Sequence, residues 1–298
     1  MNRLFATISF LAACCAALAC MAGAAETLNL DGVDYTRSSE VLGEGFELVS
    51  IRLGGIKPCE VRIAVFDLEK DPGFEMHFTY GPAKGRARAT PEEMARETAG
   101  RFNGEALAAI NGDFFLYEKD GAPARPFGVT FEDGFLHEVG CWGPGGYQIV
   151  ARLKDGTYSM GTLTSEIGAT TNLFCDGKPV SSAIRIWNQP LVGGRIIPSK
   201  EMKCYPDDEQ SNYPRTFVGL GPKRIAFLVA DARRPLWSWG LTSAQASELL
   251  RREGCTDAGQ FDGGGSTALW VEGGYANRPS DGKPRPVANG LVVIRKRE

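Results

Sequence analysis

Alternating and continuous apolar runs recur along the chain and predict strands at 46–53, 61–68, 107–110, 128–131, 217–220, 225–230, 268–271 and 291–294. Turn signals such as Glu132-Asp133-Gly134, Lys154-Asp155-Gly156 and Cys175-Asp176-Gly177 punctuate them. Two segments carry helical start signals instead. Thr90, Pro91 and Glu93 make a capping box with proline at the first helical position, and Thr242 with Gln245 repeats that logic. Ala246, Leu249 and Leu250 supply the buried stripe of the second helix, and Gly100 and Gly254 stand where helix stops belong. The polar, proline-bearing stretch 202–214 reads as a long surface loop, with a lid as the alternative.

Each helix leads into a short strand that ends in a polar-glycine turn, Asn111-Gly112 after the first and Asp262-Gly263 after the second. The upstream strands rhyme as well: Arg62-Ile63-Ala64-Val65 against Arg224-Ile225-Ala226-Phe227. The expected fold is α+β, with mixed β-sheets, a few short helices, and two related strand–helix–strand units whose turns face one cleft. Coincidence of common elements is the other reading of that rhyme.

The N-terminal end changes the domain count. Met1-Asn2-Arg3 is a short positive start, residues 4–19 are almost wholly apolar, and Ala22-Gly23-Ala24 offers a small-residue cleavage site. This is the three-part pattern of a signal peptide, so 1–25 is expected to leave and 26–298 to form one exported domain, periplasmic or secreted. Leu11-Ala12-Ala13-Cys14 has the form of a lipobox, but the chain stays apolar to Ala25, so lipid anchoring at Cys14 is the lesser alternative. No later apolar run is long enough to span a bilayer. A formal charge of −3 without a basic cluster argues against nucleic acid as a partner. Five cysteines remain after the signal (Cys59, Cys141, Cys175, Cys204 and Cys255). They are scattered with no C-x-x-C pair, which speaks against zinc and leaves disulfide pairing open.

The candidate chemistry is narrowed by what is missing. Only His77 and His137 are present, no phosphate-binding P-loop or dinucleotide fingerprint occurs, and the nucleophile-elbow pattern fails. What stands out is Phe261-Asp262-Gly263-Gly264-Gly265-Ser266-Thr267. Three glycines in a row after a strand let backbone N–H groups approach an anionic ligand closely. An aspartate at the mouth of such a cradle would repel an anion, which points to work as a base or nucleophile; a capped tight turn is the bland reading. Asn111-Gly112-Asp113 offers sugar-binding groups and a second carboxylate, with Phe114 and Phe115 read as core or as a ring under a sugar. Arg215, just ahead of an apolar strand, and Arg285 have the rigid fork that suits two phosphate oxygens, although a lone arginine is more often a surface ion-pair partner.

In order, Asn111-Gly112-x-Phe114-Phe115, Arg215-Thr216-x-x-Gly219, Asp231 at a strand end, Gly240-Leu241-Thr242 and Asp262-Gly263-Gly264-Gly265-Ser266 resemble the phosphodiester glycosidase domain family over roughly residues 60 to 295. The position of Asp113 is commonly glycine in that family's motif. The resemblance implies hydrolysis of the C1–O bond of a sugar 1-phosphodiester, or of a phosphate-bearing envelope or exopolysaccharide glycan. For that reaction Asp262 is expected as base or nucleophile, Arg215 as the phosphate clamp and Asp231 as a second carboxylate candidate. Asn111, Gly112, Asp113, Gly263, Gly264, Gly265, Ser266 and Arg285 are the expected substrate-binding set, and the expected partner is a carbohydrate or sugar phosphate. No cofactor or metal is implied, though a calcium or magnesium requirement stays open because oxygen ligands leave faint sequence traces. The rivals are a non-catalytic envelope glycan-binding protein and a phosphodiesterase that cuts P–O.

Overall fold

The structure, a computed structural model, describes residues 25–30, 32–81, 87–116, 124–140, 147–167, 171–202 and 213–297. The signal segment, Cys141, Cys204 and most of the polar loop at 202–214 lie outside the described residues.

Strands dominate, and every pairing among the described strands is antiparallel, so the sheets are not the mixed ones expected: the two helices lie over the sheet faces without linking parallel neighbours. A nine-stranded sheet runs in the order Glu26–Leu30, Val33–Gly43, Phe46–Leu53, Cys59–Asp67, Arg224–Ala230, Arg215–Gly221, Asp257–Gln260, Asn188–Val192, Arg195–Ile196. A five-stranded sheet runs Gly274–Tyr275, Leu269–Val271, Gly104–Asn111, Asn289–Lys296, Phe74–Tyr80. A six-stranded sheet is built from segments between Thr130 and Arg185.

Side-chain alternation along these strands explains the layering. In Cys59–Asp67, Ala64 and Phe66 face one core while Ile63 and Val65 face another. The first core lies between the nine- and five-stranded sheets, where Phe46 stacks on Phe66 at 4.6 Å and Phe227 meets the same ring edge-on at 6.1 Å. The second lies under the helix Ser243–Arg252, whose Ala246, Leu249 and Leu250 cover the outer face of the nine-stranded sheet. The helix Pro91–Phe102 covers the five-stranded sheet in the same way, through Met94 and Ala95 against Ala109 and Val292. The order is therefore helix, sheet, sheet, helix. Strands covered on both faces read as unbroken apolar runs, which is why those segments were legible.

Both capping boxes form, with Thr90 and Thr242 as N-caps. The first helix does not stop at Gly100; it runs to Phe102 and ends on Asn103 at φ 50°. Asparagine tolerates the left-handed region well enough to replace glycine there. The second helix ends as expected, with Gly254 at φ 89°. The strand predicted at 128–131 starts only at Thr130, because Gly128 donates its N–H to Asp113 at 2.7 Å and Val129 donates to the Tyr147 hydroxyl at 2.9 Å.

The rhyming strands pair with each other, Val65 opposite Ala226. The two polar-glycine turns also touch, the Asp262 N–H donating to the Gly112 carbonyl at 3.0 Å. The strands after the two helices nevertheless belong to different sheets, so the two segments do not repeat one arrangement. No helix among the described residues is long and apolar enough to cross a membrane.

Candidate active site

Asp262 sits where the chain leaves the nine-stranded sheet at Gln260 and crosses to the five-stranded sheet at Leu269. Four bonds fix that crossing. Asn111, fully buried, donates from Nδ2 to the Asp262 carbonyl at 2.7 Å, and its Oδ1 accepts from Thr216 Oγ1 at 2.8 Å and from the Ala268 N–H at 3.2 Å. The Gly264 N–H donates to the Pro214 carbonyl at 2.9 Å. A Cβ at Gly263 would run into that same Pro214 carbonyl, so glycine is a packing requirement here. Gly264–Ser266 then closes as a single 3₁₀ turn, with Gly264 at φ 59°.

The result is a cavity of about 460 Å³ with Asp262 and Gly263 to Gly265 on one wall and Arg215, Arg233 and Arg285 around it. Phe114, Trp187 and Tyr213 give it aromatic surface. Asp262 and Arg215, far apart in sequence, thus share one space. Burial pushes the Asp262 carboxyl up to about 6, against a hydrogen bond from Ser266, the nearby Arg285 charge and the Gly263 N–H, all of which favour the ionised form. Arg285 is aimed by its bonds to Asp281, at 2.6 and 2.9 Å, and by a longer one to Ser266 Oγ at 3.3 Å. Arg215 is buried, and its Nε donates to the Leu241 carbonyl at 2.6 Å, which fixes the guanidinium plane. Arg233 is exposed on a left-handed backbone at φ 62° and lies over the Tyr213 ring at 5.8 Å.

The sequence-selected residues fall into three places. Asp262, Gly263, Gly264, Gly265, Arg215 and Arg285 line the cavity, and Ser266 lies buried behind its wall. Asn111 and Gly112 lie beneath, committed to holding the turn. Asp113 is buried as well: it pairs with Arg185 at 3.1 Å and accepts from the N–H groups of Gly128 and Phe114. Burial lifts its carboxyl to about 7 in spite of that arginine. Asp231 lies outside the cavity lining; its carboxylate accepts from Asn277 Nδ2 at 3.0 Å and the Arg278 N–H at 3.1 Å, and burial raises its pKa. Phe114 is the ring on the cavity wall, while Phe115 belongs to the core under the first helix. His77 packs on Phe102 and His137 bonds Glu132, and neither lines the cavity.

Arg233, Trp187, Tyr213 and Gln260 were not singled out from sequence, yet they line the same space. A basic residue two positions after Asp231 and isolated aromatics in loops carry no periodic signal.

Residues 104–294, which contain the strand ending at Asn111 and the whole Asp262 turn, match the phosphodiester glycosidase family. The chain belongs to that family. Among curated proteins it is 30% identical over 167 residues to YomE, an SPbeta prophage-derived protein of Bacillus subtilis, a match that covers 56% of this chain and 25% of that relative. The match thus spans about a quarter of the relative's length. Two solved structures share the family member's fold at low identity. One is a protein of Burkholderia pseudomallei described as exported, with a TM-score of 0.64, 14% identity, and 92% and 99% of the two chains covered. The other is the catalytic domain of zebrafish N-acetylglucosamine-1-phosphodiester alpha-N-acetylglucosaminidase, with a TM-score of 0.60, 18% identity, and 92% and 82% covered.

Proposed function

We propose that this protein is an exported hydrolase that breaks the C1–O bond of a sugar held in phosphodiester linkage, on a small glycoside or a phosphate-bearing envelope glycan. One observation carries this reading: a single carboxylate, Asp262, shares a glycine-walled cavity with three arginines and three aromatic rings. The arginines outnumber the carboxylate, which suits a phosphodiester anion. The rings suit the apolar face of a sugar.

In the proposed reaction Arg215 and Arg285 clamp the phosphate, and Arg233 closes on it from the exposed side. The departing phosphate monoester is already a stable anion, so it needs charge stabilisation more than a proton. That fits a site without a histidine. Asp262, ionised above about pH 6, supports the oxocarbenium-like carbon as nucleophile or directs water to it as base. Asn111, Asp113 and Asp231 act by holding the site's framework. No described group of three or more histidine, cysteine or acidic side chains is placed to hold a metal, and the reaction as written draws on no metal.

The test is hydrolysis of a panel of sugar 1-phosphodiesters in oxygen-18 water. Label in the released sugar supports C–O cleavage, and label in the phosphate means P–O cleavage instead. Asp262→Asn is expected to lose about a thousandfold or more in turnover, the order of loss when a site loses a key charged group. Tight sugar binding without product, unchanged in Asp262→Asn, would make the protein a glycan-binding module.

A further inference from the structure

The turn that carries Arg233 continues into the most exposed apolar tip among the described residues. Arg234-Pro235-Leu236-Trp237-Ser238 folds back on itself, the Ser238 N–H donating to the Arg234 carbonyl and the Trp237 N–H donating to the same oxygen at 2.8 Å. This leaves Leu236 at the tip, 98% exposed. A second loop, Gly54 to Pro58, lies alongside: the Trp239 N–H donates to the Pro58 carbonyl at 2.7 Å, and the Glu60 N–H donates to Ser238 Oγ at 3.0 Å. That loop presents Ile56, 97% exposed. Two large aliphatic side chains left wholly in water on adjoining loops are a conspicuous cost unless something covers them.

The residues around them say what. Lys57 lies over the Trp239 ring at 5.6 Å, and Arg234 and Arg278 lie over Trp237 at 5.4 and 4.7 Å. Arg233 lies over Tyr213 on the side facing the cavity. Aliphatic tips ringed by paired cations and amphipathic aromatics match the layering of a bilayer surface. Apolar groups enter the acyl boundary, rings stay at headgroup level and cations meet anionic lipid.

We propose that the loops bearing Ile56 and Leu236 form a docking surface for an anionic lipid bilayer. Because Arg233 lines the cavity and immediately precedes the turn that carries Leu236, docking brings the cavity mouth to headgroup level. The proposal stands apart from the reading of the cavity, since binding is measured without turnover.

The experiment is flotation of the purified full chain with vesicles of phosphatidylcholine alone or mixed with phosphatidylglycerol, comparing wild type with Ile56→Ser/Leu236→Ser. Burial of each aliphatic side chain contributes about tenfold or more to partitioning, and each basic residue at an anionic surface about fivefold. Wild type should float with the mixed vesicles, release in high salt, and bind phosphatidylcholine about tenfold or more weakly. The double variant should bind the mixed vesicles about a hundredfold more weakly, with an unchanged melting temperature because both side chains are exposed. In the full chain, quenching of tryptophan fluorescence by brominated lipid should be present in wild type and reduced in the double variant. Equal binding and equal quenching of wild type and variant, or no vesicle binding by wild type, overturns the proposal; the latter would leave a protein partner as the occupant of the tip.

Discussion

The hydroxyl of Ser266 is the most direct handle on Asp262, because it bonds the carboxylate and stabilises its ionised form while also accepting from Arg285. Ser266→Ala removes that bond with the loss of one oxygen from a buried position. A hydrogen bond to a charged group contributes about 1.5–3 kcal/mol, and about 1.4 kcal/mol corresponds to one pKa unit. Asp262 is only half-buried at the cavity wall, so the lower end applies and its pKa should move from about 6 to about 7. If ionised Asp262 is the working form, the acidic limb of kcat/KM moves with it. At pH 6 the ionised fraction falls from about one half to about one tenth, a fivefold loss. At pH 9 both proteins are fully ionised, and the titration contributes no difference. The assay is a kcat/KM profile from pH 4.5 to 9.5 for both proteins on one phosphodiester substrate. A limb that stays in place while activity drops by the same factor at every pH refutes the assignment, because it makes Ser266 a clamp for Arg285 alone.

Two further outcomes follow from the same geometry. Asp262 holds its proton more tightly in the folded protein than at its ordinary value of 3.8, so wild-type stability falls as pH rises from about 4 through about 6 and then levels. Asp262→Asn does not titrate and should be more stable than wild type above pH 7, by at most about 3 kcal/mol, with the gain gone at pH 4; urea unfolding at pH 4 and 8 checks the sign. Gly265→Ala places a Cβ against the Arg285 guanidinium and the Asp281 carboxylate. It should cost about 1–3 kcal/mol in stability and raise KM more than it lowers kcat, because it displaces a phosphate clamp; unaltered kinetics would remove Arg285 from the site.

The parts of the fold legible in sequence are those buried on both sides. Residues 61–68 and 225–230 are apolar at nearly every position because a core lies against each face. Val33–Gly43 gave no such signal: only Tyr35 in it is buried, so most of the strand is half-exposed or open to solvent. Much of the six-stranded sheet was hidden for a related reason. Lys178–Arg185 carries two serines mid-strand, and Tyr158–Ile167 is broken by Gly161, which is packed against the Asp176 carboxylate. At the site, the glycine run was legible because three adjacent glycines have little use elsewhere. Arg215 was legible through its motif context and Arg285 only through its place ahead of the last strand, and Asn111 was taken for a ligand group although its amide is spent on the framework.

Asp113 shows how a residue can matter to the cavity without lining it. Its carboxylate pairs with Arg185, whose guanidinium lies under Trp187 at 4.9 Å and near Tyr147 at 5.7 Å. The same carboxylate accepts from the Phe114 N–H at 2.8 Å, and the Phe114 ring meets Trp187 at 4.8 Å. Asp113 is thus the anchor for two of the cavity's three aromatic rings, Phe114 and Trp187. A glycine there would leave Arg185 buried without that carboxylate and the wall without its fixed point. Precise placement of a site comes from the groups that hold its surface residues in one rotamer, and here that support is an ion pair buried beneath the rings. The placing of Phe114 and Trp187 on the cavity wall thus depends on Asp113, a residue that does not line the cavity itself.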